Sequence, residues 1–96
     1  MYTILVASLN KNMELAKVLQ EQLSKLDKKS EIINLVQIEL PLYDSFKEER
    51  DGMPKPIFDL MNTMDESEGY IIVSPEYNGS IPPVLSNTIA WISRAD

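Results

Sequence analysis

Cysteine and histidine are both absent from the 96 residues. That removes disulfides, thiolate nucleophiles, imidazole bases and the zinc and iron sites built on those ligands. Ser-His-Asp and Cys-His mechanisms are excluded with them. Positive charge is scarce: nine Lys and Arg stand against fifteen Asp and Glu, a formal charge of −6. Such a chain repels a phosphate backbone, and its basic residues form no stripe interleaved with aromatics, so nucleic acid is not an expected partner. A single phosphate could still be held locally. No apolar run approaches the ~20 residues that span a bilayer, so no membrane partner is expected either. Residues 1–8 carry no basic stretch ahead of their apolar run and no small-residue cleavage site. They read as a strand rather than a signal peptide, and the expected compartment is the cytoplasm. Repeats and linkers are also missing, and the length is at or just below the roughly 100 to 200 residues of one domain, so a single core is expected.

What is present alternates between two periods. Tyr2 to Ala7 is a continuous apolar run with β-branched residues, as expected of a parallel strand covered on both faces. From Lys11 to Asp27 the period becomes helical, with Leu15, Leu19, Leu23 and Leu26 on one face beside Ala16, and Glu14, Lys17, Glu21 and Lys25 facing water. Glu31 to Leu35 reads as a weaker edge strand. Three prolines, one glycine and a charge run between Pro41 and Pro56 indicate an irregular surface loop. Ile57, Leu60, Met61 and Met64 then mark a second helix that ends before Gly69, and Tyr70 to Val73 is the next buried strand. Ser80 is a candidate N-cap, with Pro82 or Pro83 in the first turn, for a third helix whose apolar side is Leu85, Ile89 and Ile92 with Trp91 nearby.

This β-α-β-loop-α-β-α order builds a parallel sheet through right-handed crossovers. The expected class is α/β, a flavodoxin-like three-layer α/β/α domain with strand order 2-1-3 here and 2-1-3-4-5 in a full domain. Three strands leave the outer edge of the third unpaired, a pairing hazard. Residues 1–96 are therefore read as the N-terminal portion of a single such domain.

Ligands of open parallel sheets sit beyond the C-terminal strand ends, where strand order reverses. Two loops converge there. Ser8, Leu9, Asn10, Lys11 and Asn12 join the first strand to a helix N-terminus, whose free N–H groups and dipole favour an anion. Ser and Asn are equally the favoured capping residues, so capping alone explains this loop as well. The second loop runs from Ser74 through Pro75, Glu76, Tyr77, Asn78, Gly79, Ser80 and Ile81 to Pro82 and Pro83. Pro75 stops the strand and Gly79 permits backbone conformations that other residues resist. Tyr77 offers an aromatic face and Asn78 both a donor and an acceptor, which together suit a flat heterocycle with hydrogen-bonding edges. The plain alternative is a structural turn with a buried Tyr.

The segment Ser74-Pro75-Glu76-Tyr77-Asn78-Gly79-Ser80-Ile81-Pro82, preceded by Gly69 to Val73 and followed by Leu85, Asn87 and Trp91, closely resembles the signature of the NADPH-dependent FMN reductase family, which includes quinone, chromate and azo-dye reductases. The resemblance runs from the first strand through Leu40-Pro41-Leu42-Tyr43-Asp44 to Trp91, and covers about the first half of such a protein. It implies FMN as cofactor, with Pro75, Glu76, Tyr77, Asn78, Gly79 and Ser80 along the isoalloxazine ring and Ser8, Asn10, Lys11 and Asn12 at the phosphate. It further implies NADPH or NADH as electron donor, a small-molecule electron acceptor such as a quinone or free flavin, and a homo-oligomer, dimer or tetramer. The phosphate loop departs from the family pattern: Asn10 stands where the family has an Arg, and the loop is about two residues shorter. Lys11, Asn12 and backbone N–H groups then replace part of a bidentate phosphate contact. The cofactor carries the chemistry, so binding residues are expected and no catalytic ones. The rival readings are a flavodoxin-like binding or interaction module without turnover, which the altered phosphate loop suggests, and an electron carrier.

Asp44, Glu48, Glu49 and Asp51 lack the spacing and turn glycine of a calcium loop and read as solvated charges rather than a metal site. Trp91 and Met64 fall on helical apolar faces and read as core. Tyr43 and Phe46 are expected to be exposed, in a region that by resemblance borders the subunit interface and the route to the flavin.

Overall fold

The structure is a computed structural model and describes residues 1–8, 10–76 and 79–94. Strand β1, Tyr2–Val6, is the centre of a three-stranded sheet. Strand β2, Ser30–Asn34, pairs with it in parallel on one side and β3, Gly69–Val73, on the other, so that Ile4 lies opposite both Ile32 and Ile71. The order is β2-β1-β3, as expected of the flavodoxin-like class. The helices are α1 (Lys11–Lys25), α2 (Ser45–Asp51), α3 (Lys55–Asp65) and α4 (Pro83–Ile92).

Two apolar clusters show why Ile4 to Ala7 are apolar at every position. Ile4 and Val6 point to one face, where they meet Ala16 of α1 and Val73, with Met13, Leu19 and Leu23 packed against them. Leu5 and Ala7 point to the other, where they meet Leu60 of α3, Leu85 of α4 and Leu35. Helices thus cover both faces, giving three layers. Thr3, also buried, satisfies its hydroxyl on that of Ser67. Tyr70 and Ile72 of β3, read from the sequence as buried, are about half exposed, on the strand whose outer edge pairs with no other strand among the described residues.

Five expectations are corrected. Helix α1 stops at Lys25, where Leu26 N–H bonds Leu23 O, and Asp27 follows with φ 58°. Its buried row centres on Ala16, Leu19 and Leu23, which leaves Leu15 49% and Leu26 69% exposed. Leu15 lies one residue, about 100°, round the helix from Ala16, so the i, i+4 row of leucines runs off the sheet. Within the segment read as irregular, residues 45–51 are helical: the Asp44 side chain accepts from Phe46 N–H at 2.8 Å, and Gly52, with φ 77°, ends the helix. None of its residues is buried, so no apolar period signalled it. On α4 the buried row is Leu85, Thr88 and Trp91, while Ile89 is 44% exposed. Thr88 tolerates the core because its hydroxyl donates to Val84 O at 2.7 Å. Ser80 is not the cap of α4, as described below. Trp91 is core as expected, and Met64 packs partly buried against the second cluster.

Candidate functional site

Because all three strands are parallel, their C-terminal ends lie on one side of the molecule. A cleft of about 370 Å³ opens there, lined by Ala7, Ser8 and Asn10 after β1, Val36 after β2, and Pro82, Pro83 and Val84 at the start of α4. Its size lies within the range of about 300–1,000 Å³ common to small-molecule sites. Its lining combines a hydroxyl and an amide, from Ser8 and Asn10, with two prolines and two valines. A wider hollow of about 560 Å³ lies at the opposite end of the sheet, beside Gln20, Lys28, Lys29 and Ser30. It faces the N-terminal strand ends, where open α/β sheets do not place ligands.

The polar side is built by the turn into α1. Asn10 occupies the N-cap position with φ 60° and ψ −120°, its carbonyl accepts from Glu14 N–H at 3.0 Å, and its side chain makes no cap bond. The amide of Asn10 is thus left for the cleft, and the start of α1 keeps the positive pole that favours an anion. Lys11 is exposed and Asn12 half-buried, and neither lines the cleft. The conformation at Asn10 belongs to glycine, and a non-glycine residue held there costs about 1–3 kcal/mol. Glycine loses about 0.4–1 kcal/mol more backbone entropy on folding. Asn10→Gly is therefore expected to raise stability by about 1 kcal/mol, read as a higher urea midpoint at constant slope.

The second loop leaves β3 at Ser74, whose hydroxyl donates to Pro75 O at 3.0 Å. Pro75 is half-buried and Glu76 exposed. Gly79 has φ 77°, so the freedom expected of it is used. Tyr77 and Asn78 lie outside the described residues. Ser80 is exposed, in an isolated β-bridge, and α4 begins beyond it: Pro82, fully buried, is the N-cap, and its carbonyl accepts from Leu85 and Ser86 N–H at 3.0 and 3.1 Å. Pro83 at the first helical position has no N–H to be capped, so a serine three residues upstream has no cap to make. Ser8 and Asn10 therefore meet Pro82 and Pro83 in one cleft, while Pro75, Glu76, Gly79 and Ser80 form the loop leading into it. Val36 was missed, although the exit of every strand belongs to this end of the sheet.

A third segment is fixed against α4. Asn87 Nδ2 donates to Pro41 O at 3.0 Å, and Asn87 Oδ1 accepts from Tyr43 N–H at 2.7 Å. Trp91 Nε1 donates to the same Pro41 carbonyl at 2.9 Å. The Tyr43 and Trp91 rings meet edge to face, centroids 5.0 Å apart. Tyr43 Oη donates to Glu48 Oε1 at 3.0 Å, and Arg94 Nε donates to that same oxygen at 3.3 Å. Tyr43 is thus half-buried rather than exposed, and burial first, then the bond to Glu48, raises its pKa above the ordinary tyrosine value. Phe46 is exposed as expected. The acidic residues of this region form no group able to hold a metal ion among the described residues. They act locally instead, Asp44 as a cap and Glu48 as acceptor.

The NADPH-dependent FMN reductase family model matches residues 2–96. A quinone reductase of Escherichia coli strain K12 is 39% identical over 56 residues, which are 58% of this chain and 30% of that protein. A 2-hydroxy-1,4-benzoquinone reductase of a Burkholderia species is 36% identical over 55 residues, 57% of this chain and 29% of that protein. Among solved structures, FerB of Paracoccus denitrificans, described as a flavoenzyme NAD(P)H:(acceptor) oxidoreductase, matches with a TM-score of 0.72 and 29% identity over 94% of this chain and 48% of that one. The chain thus spans about half or less of the proteins it matches. With the parallel sheet, the strand-end cleft and a match over nearly its whole length, the chain belongs to the NADPH-dependent FMN reductase family.

Proposed function

We propose that residues 1–96 are the N-terminal portion of a flavodoxin-like domain that binds FMN in the strand-end cleft, in a cytoplasmic oxidoreductase that passes electrons from NADPH or NADH to a small acceptor such as a quinone or free flavin. The observation that carries this reading is the composition of the cleft. Its polar lining, Ser8 and Asn10 at an anion-favouring helix start, suits a phosphate-bearing tail, and its apolar lining of Val36, Pro82, Pro83 and Val84 suits a flat ring. FMN, when bound, supplies the two-electron chemistry between nicotinamide and acceptor.

What the chain itself contributes is placement. Asn10 and the start of α1, with Lys11 and Asn12 nearby, hold the phosphate end. Pro75, Glu76, Tyr77, Asn78, Gly79 and Ser80 bound the ring, with Gly79 giving that loop its bend. Pro82 and Pro83 offer no N–H and so present an apolar surface that excludes water from one side. No side chain is assigned a proton-transfer role. The relatives' names as reductases of quinones support the acceptor class, and no helix among the described residues is long and apolar enough to cross a membrane. The protein is taken to act as a dimer or tetramer.

The test is the visible spectrum of the purified protein after addition of FMN and gel filtration, followed by NAD(P)H oxidation with a quinone present. The expected result is a retained yellow chromophore at about one flavin per chain and turnover above that of free FMN. Retained flavin without turnover would reduce the reading to a binding module, and no retained flavin would remove it.

A further inference from the structure

The clamp of α4 on residues 41–43 ties the helix that begins at the cleft to the chain that follows β2. Pro82 to Val84, at the start of α4, line the cleft. Val36, at the exit of β2, lines the cleft as well, and the chain runs on from it to Pro41, five residues later. Asn87 is four residues beyond Pro83 on the same helix. Both ends of its amide are used on this strap, as donor to Pro41 O and acceptor from Tyr43 N–H. Trp91, one further turn along, donates to the same carbonyl. Three hydrogen bonds and an edge-to-face ring pair therefore fix the distance between the helix that carries the prolines and the segment that leaves β2. The whole connection is made by residues that do not line the cleft.

We infer that Asn87, with Trp91, is a positioning residue for the flavin site: by pinning residues 41–43 to α4 it sets how far the start of α4 stands from Val36 at the exit of β2. This rests on the reading of the cleft as the FMN site. An amide is suited to the task because it donates and accepts in one plane at fixed spacing, so a single side chain holds two backbone groups on either side of Leu42. Preorganisation of this kind acts on ligand affinity, since a cleft that must first find its width loses part of the binding free energy to ordering.

The experiment compares the protein with Asn87→Ala, Asn87→Asp and Trp91→Phe variants in FMN fluorescence titrations, with thermal melting and circular dichroism recorded on each. Asn87→Ala is expected to raise the FMN Kd by about tenfold or more. Asn87→Asp, which keeps the acceptor for Tyr43 N–H and loses the donor to Pro41 O, should fall between wild type and Ala, as should Trp91→Phe, which keeps the ring and loses its N–H. Trp91 is the only tryptophan, so its emission without FMN reports the clamp directly, and Asn87→Ala should shift it to the red. Ile57→Val serves as control, a fully buried α3 position outside cleft and clamp. It should lower the melting temperature and leave the Kd unchanged. An unchanged Kd in Asn87→Ala, or an equal rise in Ile57→Val, would overturn the inference while leaving the FMN reading intact. A wild type that takes up no FMN would overturn both.

Discussion

Ile4→Ala should lower the free energy of unfolding by about 2–5 kcal/mol, the range for truncating a buried aliphatic side chain whose surroundings relax only in part. Ile4 has no exposed surface and sits at the middle of the central strand, opposite Ile32 on one side and Ile71 on the other. Its side chain packs with Val6, Ala16 and Val73 beneath α1. Strands cannot close over the void because their backbones are fixed by two hydrogen-bonded ladders. Domains of this size have only about 5–15 kcal/mol of stability, so the change removes a large share of it. At about 4–8 °C per kcal/mol, the melting temperature should fall by at least about 8 °C. Urea denaturation at neutral pH provides the check, with an unchanged slope showing that the effect is on stability. Leu26→Ala is the comparison, since that leucine is 69% exposed beyond the end of α1 and should move stability by no more than about 0.5 kcal/mol. Equal losses in the two variants would mean that the central strand is not where the core is.

The second large effect is expected at Gly79. A Cβ placed there would meet nothing nearer than Glu76 Oε1 at 3.9 Å, so a substitution does not fail by collision. It fails through the backbone, because φ is 77°. Left-handed conformations cost an ordinary residue about 1–2 kcal/mol, and a β-branched one more. Gly79→Val should therefore shift the loop between β3 and α4 rather than accept the strain. On the FMN reading, affinity should fall by about tenfold or more, since each 1.4 kcal/mol of misfit corresponds to a factor of about ten. Gly79→Asn should stay close to wild type, because asparagine is among the residues that enter this region most readily. Fluorescence titration of FMN against the three proteins measures the order, and the melting curves should move little because the loop is exposed. A Val variant that binds FMN like wild type would show that this turn does not shape the site.

Elements with a strong local pattern were legible before folding was considered. β1 declared itself because both of its faces are covered, and only a strand buried on both sides reads as an unbroken apolar run. α3 was found because Ile57 and Leu60 mark a true buried row. The loop at residues 74–83 was recognisable because its prolines and glycine restrict or free the backbone by their covalent structure alone. The misreadings also have local causes. Leucine spacing on α1 and isoleucine spacing on α4 suggested faces rotated from the real ones, since an exposed leucine and a buried threonine look the wrong way round to hydropathy. Helix α2 carries no apolar stripe, and its start depends on a single capping aspartate.

The α/β class and its parallel sheet follow from the primary structure, because period and turn chemistry are properties of neighbouring residues, and the strand order follows once that class is taken as flavodoxin-like. The shape of the cleft does not. Val36 reaches it only through the register of β2 on β1, and the helix that begins with Pro83 is tied by Asn87 and Trp91 to groups 44 to 50 residues away. Contacts at such separations leave no periodic trace in a chain. They come into being only when the helices have settled on the sheet.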